Sequence, residues 1–314
     1  MTQRSDTPPA TQAQPNLLPR HLAIALLLGV ACMFAANHVA ARLAFDNGTG
    51  LLLAIMTRSG LALVILGVLL TLKRQAIRLP AGTWPWQLGV GLLITLQSLF
   101  LYSAVARLPV AVALLLMNTF PIILALLTWA LGGSRPTLRA TLIMTVIMVG
   151  LVVVLDVPTW LANPQEMGDQ WALGVACGLG AATVFSGALW ITNHRLSGVG
   201  NSLRTFLTMG VVFVSMILAG AAGLVPGGLA LPSNASGWSG LVALATLYGI
   251  GFSVLFISVP RLDMARNAPV MNLEPVASLL LGYLVLGQML GPVQLLGGAI
   301  VLGGIVWLSV SRQT

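Results

Sequence analysis

Residues 101–131 read LYSAVARLPVAVALLLMNTFPIILALLTWAL, and residues 255–285 read LFISVPRLDMARNAPVMNLEPVASLLLGYLV. Aligned without gaps, Arg107 pairs with Arg261, Met117-Asn118 with Met271-Asn272, and Pro121 with Pro275. Shared leucines mean little in so apolar a chain. Matched Arg, Met, Asn and Pro at one fixed offset mean much more, and they mark an internal repeat.

Outward from this pair, ten segments are long and apolar enough to cross a bilayer, which takes roughly 20 residues each. They are Leu22–Ala44, Leu51–Leu72, Trp86–Ala106, Val110–Leu131, Leu138–Leu155, Trp171–Thr192, Arg204–Val225, Trp238–Val259, Ala268–Gly287 and Pro292–Ser311. Turn formers separate them: Asn47-Gly48, Leu79-Pro80, Gly132-Gly133, Pro226-Gly227-Gly228 and Gly291-Pro292. The apolar runs are continuous and lack the alternation of barrel strands, so a β-barrel is excluded. The expected fold is an all-α membrane protein of ten transmembrane helices. Five spans per repeat is an odd number, so the second repeat is expected to enter the membrane upside down. Transporters built this way hold substrate near the midplane between halves. The expected division is a disordered cytoplasmic tail at 1–21, a first repeat at 22–156, an outer loop at 157–170 and a second repeat at 171–311.

Composition agrees. Hydrophobic residues make up 57% of the 314 positions and charged ones 7%, too few to cover a water-facing surface. The net charge of +8 suggests nucleic acid, but the basic residues fall in short gaps between apolar runs and form no basic face, so no nucleic acid partner is expected. The bilayer and a small metabolite are. Cys32 and Cys177 sit inside apolar runs and read as small buried hydrophobes, with no disulfide framework and no metal spacing. No phosphate-binding Gly-Lys loop, zincin motif or nucleophile elbow occurs, so neither an ATP engine nor a cofactor is expected. Asn47-Gly-Thr49 and Asn234-Ala-Ser236 match the glycosylation pattern in expected outer loops.

Orientation follows from Lys and Arg. Arg4 and Arg20, Lys73, Arg74 and Arg78, Arg135 and Arg139, Arg195 and Arg204, Arg261 and Arg266, and Arg312 share one side of a ten-span chain. Asp46, Asp156, Glu166 and Asp169 fall on the other, with Arg107 the exception. Both termini are therefore expected in the cytoplasm. Trp84, Trp86, Trp171 and Trp238 fall at the interfaces as belt anchors.

Arg58 within AIMTRSGLAL, the Arg107–Pro121 stretch, and MNLEPVASLLLGYLVLGQ followed by PVQLLGGAIVLGGIVWL carry a family resemblance. Over residues 22–310 the chain resembles the drug/metabolite transporter superfamily, specifically its EamA-type ten-helix members. The resemblance implies two EamA-like five-helix repeats in the bacterial inner membrane and export of amino acids or other metabolites. One departure stands out: relatives often carry Glu where this chain has Gln288, and the matching end of the fourth span has Gly133-Ser134.

Candidate site residues are the polar groups inside spans. A charge at the bilayer centre costs about 2.5–3.5 kcal/mol on insertion scales and usually faces a cavity or a partner. Glu274, two turns inside the ninth span beside Pro275, is a candidate for binding an amino group or carrying a proton; its plain alternative is a structural carboxylate. Arg58 suits a substrate carboxylate, or a structural pairing with Glu274 or with carbonyls of a broken helix. Asn118 and Asn272, three residues before Pro121 and Pro275, either face a central cavity or bond between helices. His38 and Arg42 share a face at i, i+4, His38 as a pH-sensitive gate and Arg42 in gating. Gln97 and Tyr102 on the third span, Trp190 closing a small-residue ridge (Gly174, Gly178, Ala182, Ser186), and Tyr248 in a Tyr248–Phe252–Phe256 stripe are candidates to line the substrate. Pro121 and Pro275 are candidate flexure points.

The function expected is secondary transport by alternating access, coupled to protons through Glu274 or uncoupled, in a self-contained monomer. Its rivals are an integral membrane enzyme acting on a lipid-linked substrate, which calls for longer loops and polar residues gathered at one interface, and a membrane interaction subunit.

Overall fold

The computed structural model describes residues 17–74, 78–156, 170–258, 261–262 and 268–311, without the side chains of 256–257, 268–269 and 308–311. Most of the tail and of the 157–170 loop, with Glu166 and Asp169, lies outside the described residues, as do Arg4, Arg266 and Arg312. Every regular element described is helical: α1 (Arg20–Asp46), α2 (Leu51–Leu72), α3 (Trp84–Val105), α4 (Val110–Met117), α5 (Phe120–Ala130), α6 (Leu138–Val154), α7 (Trp171–Arg195), α8 (Asn201–Ala221), α9 (Ala235–Ser258), a 3-10 segment Ala268–Leu273, α10 (Glu274–Leu286) and α11 (Pro292–Ser311). Seven described helical stretches are long and apolar enough to span a membrane, with Val110–Ala130 taken as one, and three apolar ones are shorter, Leu138–Val154, Val270–Leu286 and Pro292–Trp307. Large apolar side chains such as Val64, Leu142, Leu218 and Leu284 are exposed along these helices. In water such a surface would aggregate; in a bilayer it is the lipid face.

Two spans are broken. The fourth halts at Met117, passes through Asn118 and Thr119, and restarts as α5 with Pro121 in its first turn. The ninth runs as 3-10 helix to Leu273 and restarts as α10 with Pro275 in its first turn. Proline lacks an amide donor and fits a first turn, so each repeat restarts its helix at the same place. Glu274 therefore opens α10 instead of lying two turns inside a continuous helix.

The packing respects the repeat. α3 lies on α7 as α1 lies on α9, α2 on α9 as α3 on α8, and α5 on α7 as α1 on α10, while α6 pairs with α11 and α2 with α8. Each of these pairings joins one repeat to the other. Small residues make the approach possible. A Cβ on Gly240 would stand 2.9 Å from the Ala40 carbonyl oxygen, and one on Gly178 2.8 Å from Leu116 Cβ. One on Gly297 would overlap the Val154 backbone. The ridge on α7 thus seats against the third and fourth spans, and Ser186 donates to the Phe120 carbonyl at 3.0 Å.

Two expectations fail. Trp171 is buried in the core with Ile143, Leu155 and Cys177 instead of anchoring at an interface, because its helix end is covered by the other repeat. Cys32 is exposed on the lipid-facing side of α1, whereas Cys177 is buried. Trp84, Trp86 and Trp238 are exposed as belt residues should be.

Candidate functional site

One polar cluster sits where α1, α2, α3, α9 and α10 converge. Arg58 on α2 is 5% exposed. Its Nη2 donates to Ser98 Oγ on α3 at 2.7 Å. Its guanidinium carbon lies 4.7 Å from the ring centre of Tyr102 on α3 and 4.3 Å from that of Tyr248 on α9. No described carboxylate pairs with it, so the expected alternative of an Arg58–Glu274 pair is not what forms. Two aromatic faces hold the cation, each contact contributing about 0.5–2 kcal/mol, which offsets part of the cost of placing a charge in the bilayer.

Tyr102 carries the cluster toward α1. Its ring packs edge-on against His38, with centroids 6.1 Å apart, and against Phe45 at 5.6 Å. His38 Nε2 in turn faces Glu274 Oε1 at 3.4 Å. Asn37 beside it donates to the Leu244 carbonyl on α9. Tyr248 donates to Met209 Sδ at 3.8 Å and packs on Phe252 at 4.5 Å.

The satisfaction of these groups is uneven. Among the described residues, the buried side-chain polar atoms without a partner are Asn37 Oδ1, His38 Nδ1, Thr49 Oγ1, Arg58 Nε, Gln87 Oε1 and Tyr102 OH. Four of those six belong to this cluster. An unmade hydrogen bond on a buried group costs about 1–3 kcal/mol, and proteins rarely gather several without a use for them. Tyr102 OH interacts with both the Arg58 guanidinium and Asn37 without a well-aligned bond to either, so these donors and acceptors stand together incompletely satisfied.

The other sequence candidates are placed elsewhere. Asn118 Nδ2 turns back to the Leu114 carbonyl of its own helix at 2.8 Å, so it closes α4. Asn272 stands on the 3-10 segment, engaged in an interaction of its own. Gln97 reaches Met117 Sδ at 4.0 Å, a weak contact between α3 and α4. Trp190 stacks on His194 with centroids 4.6 Å apart, away from Arg58. Arg42 is a clasp: its Nε is 2.8 Å from Asp46 Oδ1, and its Nη1 donates to the carbonyls of Val105 and Leu108 at 3.0 and 3.2 Å. It ties α1 to the α3–α4 turn. Asn37, next to His38, and Ser98, on the same face of α3 as Tyr102, join the cluster although the sequence reading put neither forward as a binding residue.

The model of the EamA-like transporter family matches residues 21–156 and again 167–310. The chain belongs to the EamA-like transporter family. Its two family matches correspond to the two sets of spans just described. A curated relative, "Uncharacterized transporter sll1319" of Synechocystis sp., is 30% identical over 106 residues, which is 32% of this chain and 30% of that protein. The chain thus matches under a third of that relative's length. A solved crystal structure superposes over 94% of this chain and 99% of its own, with TM-score 0.59 and 22% identity; that likeness concerns the fold. The family match places the chain among EamA-like transporters, and its described helices include seven long and apolar enough to cross a membrane.

Proposed function

We propose that this chain exports a small zwitterionic metabolite, an amino acid or close relative, across the bacterial cytoplasmic membrane by alternating access. The second repeat would run upside down relative to the first, both termini would be cytoplasmic, and a single chain would suffice. The observation that carries the substrate class is the gathering of unpartnered buried donors and acceptors between Arg58 and Glu274. Arg58, with Tyr102, would take the carboxylate, since a guanidinium offers a planar fork of donors. Glu274 and Asn37 Oδ1 would take the ammonium. Pro121 and Pro275 would let the half-helices tilt when the site changes sides.

Glu274 and His38 also form a pair that one proton can alter, which makes them the candidates for proton coupling. The test is uptake of a labelled amino-acid panel into proteoliposomes by wild type and Glu274→Gln, with and without a pH gradient. Gradient-driven uptake in wild type that the variant lacks supports coupling through Glu274. Equal, gradient-independent uptake by both removes that role and leaves a facilitator. An enzyme on lipid-linked substrates has no comparable support, because Arg58, Tyr102 and His38 are buried among helices instead of standing at an exposed face.

A further inference from the structure

A second polar region lies apart from Arg58. Between α5, the α5–α6 turn, α6 and the end of α7 is a solvent-open pocket of about 520 Å³ lined in part by Ser134, Arg135, Thr137, Arg139, Asn193 and His194, all of them exposed. Its repeat-equivalent is lined by Ser278, Leu279, Gly282, Gln288 and Leu290, the residues aligned with Leu124, Ala125, Thr128, Ser134 and Pro136 of the first. That second site has no room for a water molecule. Pro109 and Ala111 fill it, and Gln288 Oε1 accepts the Val110 N–H at 3.1 Å. At the positions of Arg135 and Arg139 the second repeat has Met289 and Val293. One repeat keeps the cavity open and basic; the other has it shut and neutral.

Orientation alone explains positive charge on this side of the membrane. It does not require two guanidiniums to line one cavity. Neither Arg135 nor Arg139 makes an ion pair among the described residues; Arg135 lies 5.8 Å over the Trp129 ring. His194 adds a third nitrogen-bearing side chain, held in place by the bond between its Nδ1 and the Trp190 carbonyl at 2.9 Å. Like charges lining one open pocket repel weakly through water, and an anion drawn into it relieves this and offers acceptors to guanidinium donors. Ser134 and Thr137 hydroxyls and the Asn193 amide supply neutral donors around it.

We propose that this cavity is an oxyanion-binding vestibule, taking a carboxylate or phosphate group presented by a soluble solute or by a lipid headgroup. In the transport reading above, on which only this step rests, it faces the cytoplasm and gathers the anionic end of the substrate before Arg58 receives it.

The test is calorimetric titration of the purified full-length protein in neutral detergent with acetate, inorganic phosphate, short-chain phosphatidylglycerol and short-chain phosphatidylcholine. Wild type binds at least one of the three anions saturably and phosphatidylcholine more weakly. Arg135→Gln/Arg139→Gln weakens anion binding by roughly tenfold or more, as loss of charge-assisted hydrogen bonds implies. Arg135→Lys/Arg139→Lys, which keeps the charge and checks that the site still folds, retains most of it. Arg74→Gln/Arg195→Gln, which removes equal charge elsewhere on the same side, changes it less than about twofold. Saturation by acetate or phosphate assigns the site to solutes; saturation by phosphatidylglycerol alone assigns it to headgroups. Anion binding that the Gln pair leaves unchanged, or that both charge-removing pairs weaken equally, overturns the proposal. Binding without transport of any panel member keeps the vestibule and removes the loading role.

Discussion

The fourth and ninth spans are the same device put to different uses. Each halts and restarts with a proline in its first turn. In the fourth, all eight residues of α4 are buried, Phe120 opens the second half-helix, and Ser186 of α7 bonds its carbonyl. In the ninth, the first half is 3-10, Glu274 stands where Phe120 does, and His38 of α1 faces it. The break is common to both and so belongs to the mechanics of the fold. The carboxylate and imidazole occur on one side only, and so belong to the chemistry. Two repeats thus share one backbone break while differing in the polar groups placed at it.

This contrast can be broken or sharpened by mutation. The largest effect is expected from Arg58→Gln, which leaves Tyr102 and Tyr248 without their cation. Losing a charged hydrogen bond to the substrate, at about 1.5–3 kcal/mol, lowers uptake efficiency by roughly 10- to 150-fold in a proteoliposome assay while the protein still inserts. Phe120→Glu places an unpaired carboxylate in the neutral span at a cost of about 2.5–3.5 kcal/mol. Its melting midpoint in detergent should fall clearly, and adding Ser186→His should recover part of the loss by copying the ninth-span pair. Gly297→Ala forces α11 away from Val154; overpacking costs about 1–3 kcal/mol, read as a lower midpoint with substrate preference intact. Gln288→Ala removes the bond that shuts the second-repeat cavity. At about 1 kcal/mol it shifts the open–closed balance roughly fivefold, measurable as faster labelling of a cysteine placed at Ser278. The smallest effect is Asn118→Ala, within about twofold in uptake, because that amide serves its own helix.

The sequence was most legible where physics is periodic or costly. Apolar runs gave the spans, and matched Asn and Pro gave the repeat. The expense of charge in lipid singled out Arg58 and Glu274. Pairing was not legible: Arg58 and Glu274 are both deep, yet Tyr102 and His38 stand between them. Rotation about a helix axis decides which neighbour a side chain meets, and a uniformly apolar span carries little amphipathic signal to fix that rotation. Asn118 and Asn272 show the same limit. Their symmetry in sequence was real, but whether an amide crosses to another helix depends on how the break leaves its carbonyls. Trp171 reads as an interface anchor only until the other repeat covers it.

The most direct test of the central claim asks whether the two ends of the site read the two ends of one substrate. Uptake of the amino acid that wild type carries best would be competed by its carboxyl methyl ester and by its N-acetyl derivative, for wild type, Arg58→Gln and Glu274→Gln. The account predicts that wild type rejects both analogues, that Arg58→Gln no longer distinguishes the ester from the parent, and that Glu274→Gln no longer distinguishes the N-acetyl form. If each variant kept the wild-type ranking of the three compounds, Arg58 and Glu274 would be structural charges and the substrate site would lie elsewhere.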